Sequence, residues 1–150
     1  MKIMLPIVIA LQAAATTSTG PIDGLPIGVL SRQALPAKGC AAYLFTTGQT
    51  RALAAMAIAD PASLRLVLDG KTIDLSHAGA SDVAGGTLGF APRTDYRADG
   101  VSVSLTMTVA RRNDLRDGAI VSDATLMLER SGMDSVIVPL AGLIGCASPA

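Results

Sequence analysis

The chain has a single histidine, His77, with Asp74 and Ser76 just upstream. Serine, histidine and aspartate are the parts of a nucleophilic hydrolase, in which the imidazole takes the hydroxyl proton and the carboxylate orients the imidazole. That chemistry needs the base held about 3 Å from its nucleophile. Residues 74 and 76 share one face of a strand, because side chains alternate along it. His77 falls where a hairpin runs out into a Gly- and Ala-rich loop. The expectation is a solvated loop histidine and no catalytic residue.

Metal and cofactor chemistry is equally sparse. Zinc needs three or four converging His, Cys or acidic ligands, and the chain offers one His and two distant cysteines. Asn113, Asp114 and Asp117 could face a calcium ion, but Arg111, Arg112 and Arg116 are interleaved with them, and EF-hand spacing is absent. Those three arginines form a candidate contact for an anion or an acidic partner. The alternative is a charged hairpin connection neutralised by Asp114 and Asp117. Gly85-Gly86 lacks the Lys-Ser/Thr of a phosphate loop. With no Trp, two Tyr and two Phe, platforms for stacking sugars or single-stranded nucleic acid are scarce. No metal and no cofactor are expected.

The elements that would carry these residues read as strands. The clearest is the hairpin at 63–76, SLRLVLDGKTIDLS, turning on Asp69-Gly70, a pair suited to a two-residue type I′ turn. Pivoting there pairs Leu68 with Lys71, Val67 with Thr72, Leu66 with Ile73, Arg65 with Asp74 and Leu64 with Leu75. One face is then apolar and the other carries an opposite-charge pair. Val101 to Ala110 alternates throughout, with Val101, Val103, Leu105, Met107 and Val109 on one side and Ser, Thr and Ala on the other, as in an antiparallel sheet with one wet face.

Further strands are expected at 40–47, at 124–130, at 135–146 and, briefly, at 88–91 around Phe90. Arg51 to Ala59, RALAAMAIA, has the alanine content of a helix but is apolar on every side; a buried strand is favoured. Residues 77–87 and 93–100 read as connections. Pro139 inside the last strand points to an edge or a bulge. The sum is an all-β, antiparallel fold of seven or eight strands, a two-layer sandwich or an open barrel.

Residues 1–19 read as a signal peptide. Lys2 precedes a short apolar run, and Ala13-Ala14-Ala15 supplies a small-residue cleavage site. The run is shorter than the roughly 20 residues of a membrane span; an uncleaved anchor is the alternative. Removing it leaves about 130 residues, a single domain. Residues 20–39, rich in Pro and Gly, read as an extended lead-in with Ile27, Val29 and Leu30 as docking residues, or else as a linker. Residues 40–146 form the β domain and 147–150 a tail.

Lys and Arg number 12 against 12 Asp and Glu, which leaves no field to attract nucleic acid or anionic lipid. Eleven of the acids are Asp, a turn residue, and only Glu129 is Glu. In an oxidising compartment the two cysteines, Cys40 and Cys146, are expected to pair and tie the ends of the domain together. Two separate thiols are the alternative.

The run Gly39-Cys40-Ala41-Ala42-Tyr43-Leu44-Phe45, with the closing Pro139-Leu140-Ala141-Gly142-Leu143-Ile144-Gly145-Cys146, resembles short exported alphaproteobacterial proteins of unassigned function. The resemblance spans most of the chain after the signal. It implies a Gram-negative periplasmic setting and carries over no active-site residue.

These readings converge on a periplasmic or secreted, non-enzymatic domain that binds or supports another protein of the cell envelope. A small-ligand or enzyme-inhibitor module using a loop groove is the second expectation, and an enzyme of unfamiliar type the third.

Overall fold

The computed structural model describes residues 20–79 and 86–148. The expected signal peptide at 1–19, positions 80–85 of the expected loop and residues 149–150 of the tail lie outside the described residues.

Nine strands follow in chain order: β1 (Ile27–Gly28), β2 (Cys40–Thr46), β3 (Leu53–Ile58), β4 (Ser63–Leu68), β5 (Lys71–Ala78), β6 (Arg93–Ala98), β7 (Val101–Ala110), β8 (Gly118–Arg130) and β9 (Val136–Cys146). From β2 to β9 each strand pairs antiparallel with the next, and β9 returns to pair with β2. The result is the expected all-β, antiparallel fold, in the form of an eight-stranded up-and-down barrel that is closed. Closure removes the sheet edges that would otherwise invite aggregation. Strand β1 pairs with Val67 and Leu68 of β4, just beyond the point where the β3 ladder stops at Leu66.

Cys40 and Cys146 form a disulfide across the β2–β9 seam. The β4–β5 hairpin has the register that its turn chemistry dictates, from Leu68 opposite Lys71 to Leu64 opposite Leu75. Both turn residues adopt positive φ, Asp69 at 48° and Gly70 at 80°, the geometry of a type I′ turn.

An eight-stranded barrel is just wide enough for its own side chains to fill it. Leu64, Leu66, Leu75, Leu105, Leu126, Leu128 and Leu140 are buried inside, together with the small residues Ala42, Ala55 and Ala57. This interior is apolar, whereas the outer faces of β5, β6 and β7 carry Asp74, Ser76, Asp95, Arg97, Ser104 and Thr106. That is the reverse of an outer-membrane barrel, which is polar within and apolar around its girth. Among the described residues, no helix is long and apolar enough to cross a membrane.

Four sequence expectations need correction. Residues 93–98, expected as a connection, form β6; its single large apolar residue, Tyr96, is buried between Thr94 and Ala98, too little to signal alternation. The strand expected at 88–91 is a tight turn instead, with Leu88 at φ 55° and Gly89 at 85°, and it delivers Phe90 into the core. Strand β8 begins at Gly118 and not at Ala124. A bulge at Ser122 and Asp123 shifts the parity, so Ala119 and Val121 face the core out of phase with Ala124, Leu126 and Leu128. Finally, β9 is paired on both sides, so Pro139 is not on an edge strand. It is tolerated because β2 ends at Thr46: the Pro139 carbonyl accepts from Thr47, and the side of the strand that lacks a donor faces that ending.

The lead-in is part of the fold. A turn at Asp23-Gly24 (φ 48° and 77°) places Ile22 and Ile27 in the core, while Asp23 accepts from the Thr50 amide (3.0 Å) and hydroxyl (2.6 Å). The chain then passes over the outside of the barrel. Leu30 is buried against Ala41, Met56 and Val67, and its amide donates to the Leu53 carbonyl. This covering explains β3. Its residues are apolar on both faces because the barrel interior lies on one side and the lead-in on the other.

Candidate functional site

The structure separates the residues that sequence alone had grouped around His77. Asp74 faces outward, gripped by Arg65 Nε at 2.7 Å and Nη2 at 3.1 Å. Ser76 lies on the same face, opposite Ser63 and Arg97 in the two neighbouring strands. His77, expected on a solvated loop, instead lies half-buried in β5 on the opposite face, in register with Tyr96, and lines a cavity of about 100 Å³ at the barrel mouth with Phe90 and Thr94. Burial pushes the Tyr96 phenol up to about 12, with a Thr94 hydrogen bond acting in the other direction. On the outer wall the Ser104 hydroxyl donates to Asp95 and, with some opposition from desolvation and help from the charges of Arg93 and His77, holds its carboxyl below the ordinary range.

Arg111, Arg112 and Arg116 fall in the exposed connection between β7 and β8. Arg112 is engaged by Asp114 through two bonds of 3.0 and 2.9 Å. Among the described residues, Arg111 and Arg116 make no ion pair, and no three His, Cys, Asp or Glu side chains converge as a metal site. The three arginines therefore share a loop without enclosing anything.

The feature that sequence reasoning missed is on the outer wall. The lead-in covers the apolar outer face of β2, β3 and β4 and reaches β9 only near its end, where Leu35 lies against Gly145. Beyond it, β9 turns Ile137, Pro139, Ala141 and Leu143 to the outside; Ile137 is 64% exposed and Leu143 54%. Cross-strand neighbours widen the stripe: Met127 beside Ile137, Phe45 beside Ala141, and Tyr43 and Ile120 flanking Leu143. Ala141 and Gly142 are small, so the wall dips there into a groove of about 430 Å³ between Phe45, Ile120 and Leu143, with Arg51 at its side. The signal was present in the sequence: residues 136–144 are apolar without alternation, as in a strand with two dry faces.

These surfaces define a class, a disulfide-closed up-and-down β-barrel with a packed interior and one bare apolar wall. Compared with known protein families, curated proteins and solved structures, the chain matches none of them.

Proposed function

We propose that the protein is a non-enzymatic binding or structural component of the bacterial cell envelope, a rigid barrel that presents the β9 wall to another envelope protein. The observation that carries this reading is the contiguous exposed stripe from Ile137 to Leu143 on a strand held in place from both sides. Large apolar patches on otherwise polar monomers mark interaction sites, and a wall fixed by ladders and a covalent seam loses little freedom on binding. The disulfide, and the leader expected at 1–19, favour a periplasmic or secreted location.

The test is a photo-crosslinking amino acid placed at Leu143 or Ile137 in envelope-expressed protein, with Thr106 on the polar wall as control. A discrete crosslinked species from the β9 positions alone supports the reading. Uncrosslinked monomer, or equal labelling from Thr106, overturns it.

The second reading, a small-ligand or inhibitor module, rests on the loop-side cavity at His77. At about 100 Å³ it is well below the 300–1,000 Å³ of ordinary ligand pockets. A thermal-shift screen against envelope metabolites and lytic enzymes separates the two readings, since a ligand of the folded state raises the midpoint.

A further inference from the structure

We infer that the occupant of the β9 groove is an apolar protein segment carrying a carboxylate, which Arg51 receives; the inference rests on the docking role proposed for that wall. The first support is charge. Arg51 is exposed beside Phe45, Ile120 and Leu143, and among the described residues it makes no ion pair. Asp123, next in the chain to the groove residue Ser122, does not reach it. Arg65, Arg93, Arg112 and Arg130 each hold an aspartate; among the described residues Arg32, Arg97, Arg111 and Arg116 are as open as Arg51, but Arg51 is the arginine that borders this apolar groove. A guanidinium left open beside an apolar trough suits a planar carboxylate, which it can bind through two parallel hydrogen bonds. Apolar walls on either side call for aliphatic or aromatic groups flanking that carboxylate.

The second support is continuity with a contact the protein already makes. The lead-in, an irregular stretch of chain, lies on the adjoining part of the same wall. Its Ala34 carbonyl accepts from the Tyr43 hydroxyl at 3.1 Å, and Leu35 rests against Gly145. Tyr43 is the cross-strand neighbour of Leu143, so the covered and bare areas meet at this residue. The wall thus already receives Ala34 and Leu35 of a non-helical segment, and the groove continues that surface along β9 and onto β8. The groove is an open trough, so it suits a segment laid along the surface and not an enclosed small molecule.

The experiment is a ¹H–¹⁵N titration of the oxidised protein with two capped pentapeptides of valine, leucine and phenylalanine. One has a central glutamate and the other a central glutamine. Sodium dodecanoate and a dilution series without peptide serve as further arms. The glutamate peptide is expected to shift the amides of Arg51, Ile120 and Leu143 and to bind about three- to fivefold more tightly than the glutamine peptide, the upper part of the range of an exposed ion pair. Arg51→Gln should abolish that preference while leaving the Tyr96 and Leu126 resonances in place. Equal affinity for the two peptides, shifts confined to the polar wall or no shifts at all overturn the inference. So does tighter binding of dodecanoate at the groove, which would indicate an acyl chain, or dilution-dependent shifts without peptide, which would indicate a second copy. Crosslinking from Leu143 in the envelope can succeed while the glutamate preference fails, so the two proposals fall separately.

Discussion

Cys40 and Cys146 stand opposite each other in the ladder between the first and last barrel strands, their Cα atoms 4.0 Å apart and their bond spanning 106 residues of chain. The Ala147 amide donates to the Gly39 carbonyl beside them, so the disulfide occupies a non-hydrogen-bonded pair, where side chains approach most closely. On the chain-entropy account, a loop of that length contributes about 4–5 kcal/mol. A Cys40→Ser, Cys146→Ser double variant should therefore unfold in urea with a loss of about 3–5 kcal/mol. A loss below about 1 kcal/mol would mean that the β2–β9 ladder holds the seam unaided.

Alkaline pH should destabilise the protein through Tyr96. The buried phenol keeps its proton to about 12, whereas in the unfolded chain it is released near 10.0. Below pH 10 the group adds no slope. Between about 10 and about 12 the unfolded state binds fewer protons, so stability falls as pH rises, by about 3 kcal/mol in all. The chain has two tyrosines, so absorbance at 295 nm should rise in two steps. Tyr43, whose phenol is also raised by burial, should ionise first, and the Tyr96 step should follow near 12. In Tyr96→Phe the second step should vanish; its persistence would rule out this assignment.

Two glycines should respond differently to alanine. Gly70 needs positive φ but has open space where a Cβ would stand, so Gly70→Ala should cost about 1–2 kcal/mol of conformational strain. At Gly142 a Cβ would run into the Tyr43 carbonyl of the facing strand. Gly142→Ala should therefore cost more than Gly70→Ala and speed amide exchange along β2 and β9. Equal losses would contradict the close approach at the seam.

The bare wall should be dispensable for folding. Ile137→Asp and Leu143→Asp, at exposed positions, should change stability by no more than about 0.5 kcal/mol. Leu126→Ala, fully buried, should cost about 2–5 kcal/mol. Large losses from the two wall variants would mean that the stripe is a structural surface and not a docking one.

How far the sequence could be read depended on how many local signals agreed. At 63–76 the turn type, the apolar face and the Arg65–Asp74 pair all specify one register, and the structure has it. Strand β6 carries no such agreement; β5 and β7 impose its conformation on RTDYRA from both sides. The bulge at Ser122–Asp123 hid the start of β8, because period-two reading fails across an extra residue. Closure into a barrel was beyond local pattern altogether, since β2 meets β9 across nearly the whole domain. The bare wall was half legible: the apolar run at 136–144 announced two dry faces, but which one stays open depends on where the lead-in stops.

The meander has a kinetic corollary. Seven of the eight barrel ladders join strands adjacent in the chain, so contact order is low until the last step, and the sheet can zip hairpin by hairpin. The β2–β9 seam alone requires distant segments to meet. A newly made chain halted before that meeting would be a curled sheet with two naked borders, and β9, already greasy on its outer side, would be the more adhesive. Oxidation of the two thiols locks that border away, so the rate of disulfide formation would govern how long the chain remains prone to clump.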